Sequence, residues 1–515
     1  MHTARLDIRP PPFEVVPCAS DTQSVAWPSE FPAESRKPAD TTAAAQSAQD
    51  AMATLASHWL KPFAHRGIFI SDLISYASDG SHHALRDPAK ACPLVIVREG
   101  KVLLSIPPLS TLYARDLSVC ANTVVGSFGR RLLTTMRMLH IALANSQLSS
   151  TPPLDNFAFR LCVDDMCHGL FENRAVPFFT MVSCETARTI PVVQWNTAER
   201  RDPDLAMWPA VLNYRRGLPG RRRSLWPQRK PQAIFRGSIN ENVATNLDWS
   251  RRGELKRVRF RDSRWREQGR LALLHQRCLH PDLLNVRIIE GFKMLSLVND
   301  THFWACVQSI RDEPRRPTPL PEQAAAYRYI VHVEGNGGWS DRLKHLLLSG
   351  AVVLKQDAGV KEFFEPLLLP YRHYVPVSSD LRNLSESVLW AAAHDADVQV
   401  IAADAAVFAE EVLSQTALTA YMDALFRQYQ VIFHQSVGSS ADAWFSKLFQ
   451  PDRTAQFSCE THELDRSHNS SSSAHTYGLG CFFQALDRNG LVIRPSARFP
   501  SVSAAVEAAR QPSLV

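Results

Sequence analysis

The stretch from Tyr327 to Lys355, YRYIVHVEGNGGWSDRLKHLLLSGAVVLK, restricts the fold more than any other part of the chain. An apolar run, Tyr327 to Val333, leads into a segment holding Gly335, Gly337 and Gly338. Helical spacing follows near Asp341 to Leu348, then Ser349 and Gly350, then a second apolar run, Ala351 to Lys355. Two buried strands joined by a helical crossover form a βαβ unit, which requires parallel pairing in a sheet covered on both faces. The glycines let the backbone approach a ligand closely, and a helix N-terminus behind them offers free N–H groups to an anion. Arg342 falls in the first helical turn, where a cation opposes the dipole unless an anion is held beside it; a diphosphate site is therefore expected here. A plain strand-to-helix glycine turn carrying an exposed arginine is the alternative.

The same rhythm recurs elsewhere. CPLVIVREGKVLLSI, helical spacing from Val124 to Asn145 and a strand pattern from Phe157 to Val163 form one alternating set. Phe235, the βαβ unit and HYVPV at His373 to Val377 form another, and together they predict an α/β fold. A length of 515 residues exceeds what one hydrophobic core usually supports, so two folded domains are expected. The segment from Asp395 to Phe433 has apolar residues at helical spacing, and its aromatics read as core. Residues 1–55 are rich in Pro, Ser, Thr and Ala without sustained periodicity, and 467–473 is a serine-rich break, so both ends are expected to lie outside the fold.

Charge and cysteine usage exclude some functions. The formal net charge is +6, with arginine concentrated between Arg200 and Arg270. No nucleic-acid-binding module accompanies these runs, so no nucleic-acid partner is expected. The ten cysteines show no CxxC and no paired metal spacing, and no metal site is predicted; Cys162 reads as a buried thiol inside an apolar run. No apolar run is long enough for a transmembrane span, and MHTARLDIRPPPFEVVPCAS has no core of signal-peptide length.

Several ordered pieces of the chain resemble the capsule-associated and protein O-glucosyltransferase family, glycosyltransferase family 90. They are IFRGS at Ile234 to Ser238, PDLLNV at Pro281 to Val286, the βαβ unit, and EFFEPLLLPYRHYVPVSSDLRNL from Glu362 to Leu384. The resemblance implies a GT-B-like pair of Rossmann-like domains facing a cleft, and transfer of glucose or xylose from a UDP-sugar with inversion, without a metal or other cofactor. It implies an N-terminal acceptor domain over residues 56–215 and a donor-binding domain over 216–437, between a disordered segment, 1–55, and a variable tail, 438–515. The implied partners are UDP-glucose or UDP-xylose and a glycoprotein serine or glycan hydroxyl. Family members work in the secretory pathway, an expectation that the N-terminal sequence does not itself carry.

Inverting transfer needs a base to take the acceptor proton, and a carboxylate suits that task. The resemblance of FAFRLCVDDMC to the family pattern implies Asp165 as this base, although Met166 and Cys167 stand where the family has an aromatic residue and proline. DLAMWPA at Asp204 to Ala210 resembles the next landmark; Asp202 and Asp204 also read formally as a metal-binding DxD. For the donor, the resemblance implies Ser238, Gly337, Gly338, Trp339, Ser340, Asp341 and Arg342. The family's arginine shortly after FRGS is missing, which leaves Arg251 and Arg252 as candidates. Glu362 is a further candidate for a sugar or ribose hydroxyl, with a surface carboxylate at a helix start as the alternative. These departures also leave open a non-catalytic, glycan-binding or scaffold relative of the same fold.

Overall fold

The computed structural model describes residues 41–69, 71–73, 94–105, 135–136, 138–144, 152–162, 175–184, 188–193, 226–238, 269–290, 298, 300–312, 320–335, 340, 342–438, 445, 454–463 and 477–485. Within these, the chain is mixed α/β with two main sheets.

The first sheet holds β1 (Leu94–Arg98), β2 (Lys101–Ser105), β3 (Phe157–Cys162), β4 (Phe178–Thr180) and β6 (Ile190–Pro191). A short β5 (Ser183–Cys184) leaves it to pair elsewhere. β1 and β2 form a hairpin in which Glu99 and Gly100 both take positive φ, 53° and 69°, the turn whose twist matches two antiparallel strands. β3 pairs antiparallel with β1 and parallel with β4. All of its residues, FAFRLC, are buried, as in a strand covered on both faces.

The second sheet is wholly parallel, in the order β12-β10-β9-β7-β8. Its strands are β7 (Lys230–Ser238), β8 (Leu284–Glu290), β9 (Tyr327–His332), β10 (Val352–Gln356) and β12 (Val375–Val377). From β7 the chain passes through α2 (Gly269–Leu279) to β8 on one side, then through α3 (Thr301–Asp312) and α4 (Leu320–Ala326) to β9 on the other. The order therefore reverses between β7 and β9, and a crevice opens beyond the carboxyl ends of strands at such a point. The expected βαβ unit is present as β9, α5 (Leu343–Leu347) and β10.

Helices α6 (Leu384–Ala393), α7 (Asp395–Val412) and α8 (Gln415–Val437) follow, and α1 (Thr41–Arg66) and the helical residues 138–144 lie earlier in the chain. The long apolar segment from Asp395 is broken at Ser414, whose hydroxyl caps α8 by accepting from Ala417 N at 3.2 Å. α8 returns to the first sheet. Its Phe426 and Tyr429 join Phe157, Phe159 and Phe179, with the Phe179 and Tyr429 centroids 4.9 Å apart. Tyr429 Oη donates to Ala158 O at 3.0 Å, and Tyr421 Oη to Pro191 O at 2.6 Å.

Two expectations about the chain ends need correction. α1 begins at Thr41 and packs along α8, with Ser57 Oγ donating to Gln428 Oε1 at 2.9 Å and Gln428 Nε2 donating to Ala53 O at 3.0 Å, so residues 41–55 are helical and not a disordered segment. β13 (Thr454–Glu463) and β14 (Tyr477–Ala485) form a hairpin that adds to the edge of the first sheet, with Thr454 opposite Ser105. The tail after residue 438 thus contributes two strands. Cys162 also differs from its reading as a free thiol, because it is disulfide-bonded, and a second bond joins Cys278 of α2 to Cys306 of α3. Among the described residues no helix is long and apolar enough to cross a membrane.

Candidate functional site

Each residue of the IFRGS run has a distinct task at the end of β7. Ile234 and Phe235 are buried in the core. Arg236 turns to the neighbouring strand, donating to Asn285 O at 2.6 Å and Asn285 Oδ1 at 2.7 Å, while Asn285 Nδ2 donates to Tyr327 Oη. This arginine locks β7 to β8 and is structural. A Cβ on Gly237 would stand 2.8 Å from Phe235 Cζ, so the glycine makes room for the ring to fold back over the strand. The ladder shifts register between Gly237 and Ser238.

The Phe235 ring carries two guanidinium groups. Arg342 lies with Cζ 4.8 Å from the ring centroid and Arg270 at 5.6 Å, both within cation–π range. Both also brace on the end of β7. Arg342 Nη2 donates to Arg236 O at 2.6 Å, and Arg270 Nη1 donates to Ser238 O at 2.6 Å with a longer contact to Ser238 Oγ. Two like charges held beside one ring, with Arg270 largely buried, form a region where an anion is stabilised and a further cation is not.

The neighbouring strand end registers that field. His332, at the end of β9, is buried, and its pKa lies well below the ordinary histidine value, first through burial and then through Lys355, Arg342, Arg270 and Lys344. Its imidazole is therefore neutral at pH 7. Glu334 follows it, also buried, with its N–H given to Gln356 Oε1 at 2.9 Å. Ser340 is buried, and its carbonyl accepts from Leu343 N at 3.4 Å.

Two further cations are paired behind the site. Lys344 Nζ stands 3.1 Å from Glu362 Oε2, with side chains 0% and 2% exposed, and Lys355 Nζ stands 2.9 Å from Glu365 Oε2. These exposures decide the placement of Glu362: it is a buried partner of Lys344, which corrects the alternative of a surface carboxylate. α5 spans five residues, little more than one turn, so the field at the site comes mainly from side chains and not from a helix dipole.

The sequence-predicted residues Ser238, Ser340 and Arg342 are placed by the structure at or beside the crossover between β7 and β9. Glu362 is linked to Arg342's helix through Lys344. Asp165, Gly337, Gly338, Trp339, Asp341, Arg251 and Arg252 lie outside the described residues, as do Asp202 and Asp204. Sequence reasoning missed Arg270 and the platform role of Phe235. Arg270 stands 32 residues after Ser238, and its helical neighbours offer only an amphipathic pattern; nothing local announces that it folds back.

Comparison with known proteins places the chain in a family. The family model "Glycosyl transferase family 90" matches residues 170–444. Protein O-glucosyltransferase 1 of Homo sapiens is 33% identical over 252 residues, 48% of this chain and 59% of the relative. Protein O-glucosyltransferase 3 of Homo sapiens is 34% identical over 103 residues, 20% of each. "Uncharacterized protein 179R" of Invertebrate iridescent virus 6 is 27% identical over 228 residues, 40% of this chain and 17% of the viral protein. In each case the match spans less than two thirds of the relative. The family match covers more than half of the chain and contains both strand ends of the crossover, Arg270 and Arg342 among them, and on that ground the chain belongs to glycosyl transferase family 90.

Proposed function

We propose that this protein is an inverting glycosyltransferase that binds a UDP-sugar, UDP-glucose or UDP-xylose, at the crossover between β7 and β9 and transfers the sugar to a protein serine or glycan hydroxyl. The observation that carries the reading is the convergence of Arg270 and Arg342 on the Phe235 ring at the one point of the second sheet where strand order reverses. A guanidinium holds two phosphate oxygens at once, and charge on the diphosphate grows as the glycosidic bond breaks, so these arginines stabilise the transition state more than the bound donor. Arg270 takes the part that Arg251 or Arg252 was expected to fill. Ser238, Ser340 and the segment Gly337, Gly338, Trp339 and Asp341 complete the donor pocket in this reading. Asp165, three residues beyond β3, is the base that takes the acceptor proton as the hydroxyl attacks the anomeric carbon.

The names of the relatives support glucose as the sugar and protein as the acceptor. Two main sheets, one of them wholly parallel, support a GT-B-like arrangement, and the disulfide between Cys278 and Cys306 supports folding in an oxidising compartment such as the secretory pathway. Leaving-group charge is neutralised by protein groups in this reading, so no metal is required. The test is UDP release by purified protein from each UDP-sugar, with a serine-containing acceptor protein, in EDTA. Release from UDP-glucose or UDP-xylose that persists in EDTA is expected. Activity that requires added manganese would instead favour Asp202 and Asp204 as metal ligands, and release from no donor would contradict the reading.

A further inference from the structure

The short segment from Val360 to Glu365 is held from two sides, by β5, α1 and α8 on one and by α5 and β10 on the other. On the side of the first sheet, β11 (Val360–Lys361) pairs antiparallel with β5, Val360 opposite Cys184 and Lys361 opposite Ser183. Trp59 of α1 donates its indole N–H to Phe363 O at 2.8 Å, and the Phe363 ring packs on Tyr421 of α8 with centroids 4.8 Å apart. On the side of the second sheet, Glu362 holds Lys344 of α5 and Glu365 holds Lys355 of β10, while Glu365 Oε1 accepts from Glu362 N at 2.8 Å. Lys344 stands two residues after Arg342.

These contacts form a continuous path from the first sheet to the donor-site helix. Its middle link cannot slacken cheaply. Separating a buried ion pair is costly because both charges are already out of water, so the Lys344–Glu362 contact ties α5 firmly to this segment. The other end is fixed by a β-ladder and by a buried indole hydrogen bond.

We propose that Val360–Glu365 is a positioning strut, and that Glu362 is a positioning residue which sets Arg342 relative to the first sheet without touching the donor. The catalytic consequence rests on the function proposed above: the base follows β3 of the first sheet and the diphosphate ligand belongs to the second, so their spacing governs turnover. The strut itself is a statement about the fold.

The experiment uses Trp59→Phe, which removes the indole donor, keeps an aromatic ring and lies outside the donor pocket. Hydrogen–deuterium exchange is expected to quicken by about threefold to tenfold both in 360–365 and in α5, the loss that one buried hydrogen bond produces. Quickening confined to 360–365, with α5 unchanged, overturns the proposal. Kinetics then separate positioning from bulk stability: kcat should fall by about tenfold while the Kd for UDP stays within about twofold. An unchanged kcat in an active, folded Trp59→Phe protein also overturns it. Glu362→Gln takes one charge out of a buried pair and risks misfolding, so the companion variant is Lys344→Met with Glu362→Leu, which removes both charges at similar volume. It should recover the thermal midpoint without recovering turnover; full recovery of both would reduce the pair to a structural role and contradict the strut. A wild-type protein inactive with every donor would refute the proposed function alone, since the exchange measurement still decides the strut.

Discussion

Gly237 shows how tightly single residues set this site. An alanine there would bring Cβ to 2.8 Å and 3.0 Å from two atoms of the Phe235 ring, which is fully buried and has little freedom to yield. Overpacking of that kind costs about 1 to 3 kcal/mol, so Gly237→Ala should lower stability to urea by that amount. It should also weaken UDP binding, because the displaced ring is the seat of both guanidiniums. Unchanged UDP affinity in this variant would detach the ring from the pocket. His332 makes a second residue-scale prediction. Its folded pKa lies well below the ordinary value of 6.5, so below pH 6.5 the unfolded chain takes up a proton that the native imidazole refuses. The unfolded state then binds more protons, and stability falls as pH drops, by at most about 1.4 kcal/mol per pH unit from this group. Urea unfolding at pH 7.5 and 5.5 should show a larger acid loss for wild type than for His332→Asn, and equal losses would contradict this.

At the scale of elements, α8 joins the C-terminal part of the described helices to the first sheet. Tyr429 lies fully buried with its hydroxyl on Ala158 O of β3. Tyr429→Phe removes a buried hydrogen bond, so unfolding free energy should fall by about 0.5 to 1.5 kcal/mol, read by chemical denaturation; no loss would mean that this hydrogen bond does not stabilise the packing of α8 on β3. The elements also explain what was legible in the sequence. The βαβ unit could be read because its strands, glycines and helix are consecutive, and periodicity is a local signal. CPLVIVREGKVLLSI could be read as strand-forming for the same reason, whereas its division into the β1–β2 hairpin at Glu99 and Gly100 emerged only in the structure. The hairpin of β13 and β14 could not be read, since β13 finds its partner in β2, across most of the chain, and TAQFSCETHE is largely polar. α1 escaped notice because its alanine-rich start has weak amphipathic contrast and its packing surface lies on α8. In the site, Arg342 was legible beside its glycine segment, whereas Arg270 acquires its meaning only when α2 folds against the end of β7.

For the whole molecule, the two sheets are not independent bodies. Leu343, Leu346 and Leu347 of α5 share a buried cluster with Phe63 of α1, Tyr429 of α8 and Phe157 of β3, so α5 and the first sheet belong to one core. This continuity suits a reaction in which a base and a leaving group come from different sheets and must keep a fixed spacing. In the function proposed above, Arg342 and Arg270 hold a nucleotide diphosphate at the crossover between β7 and β9. Calorimetric titration of UDP into the wild type and into folded Arg342→Ala and Arg270→Ala variants tests it most directly. A charge-assisted contact to phosphate is worth about 1.5 to 3 kcal/mol, so each variant should bind roughly one to two orders of magnitude more weakly. Arg342→Lys should recover only part of the loss, because an ammonium cannot make the two-pronged contact. UDP affinities equal to wild type in both folded alanine variants would contradict the account.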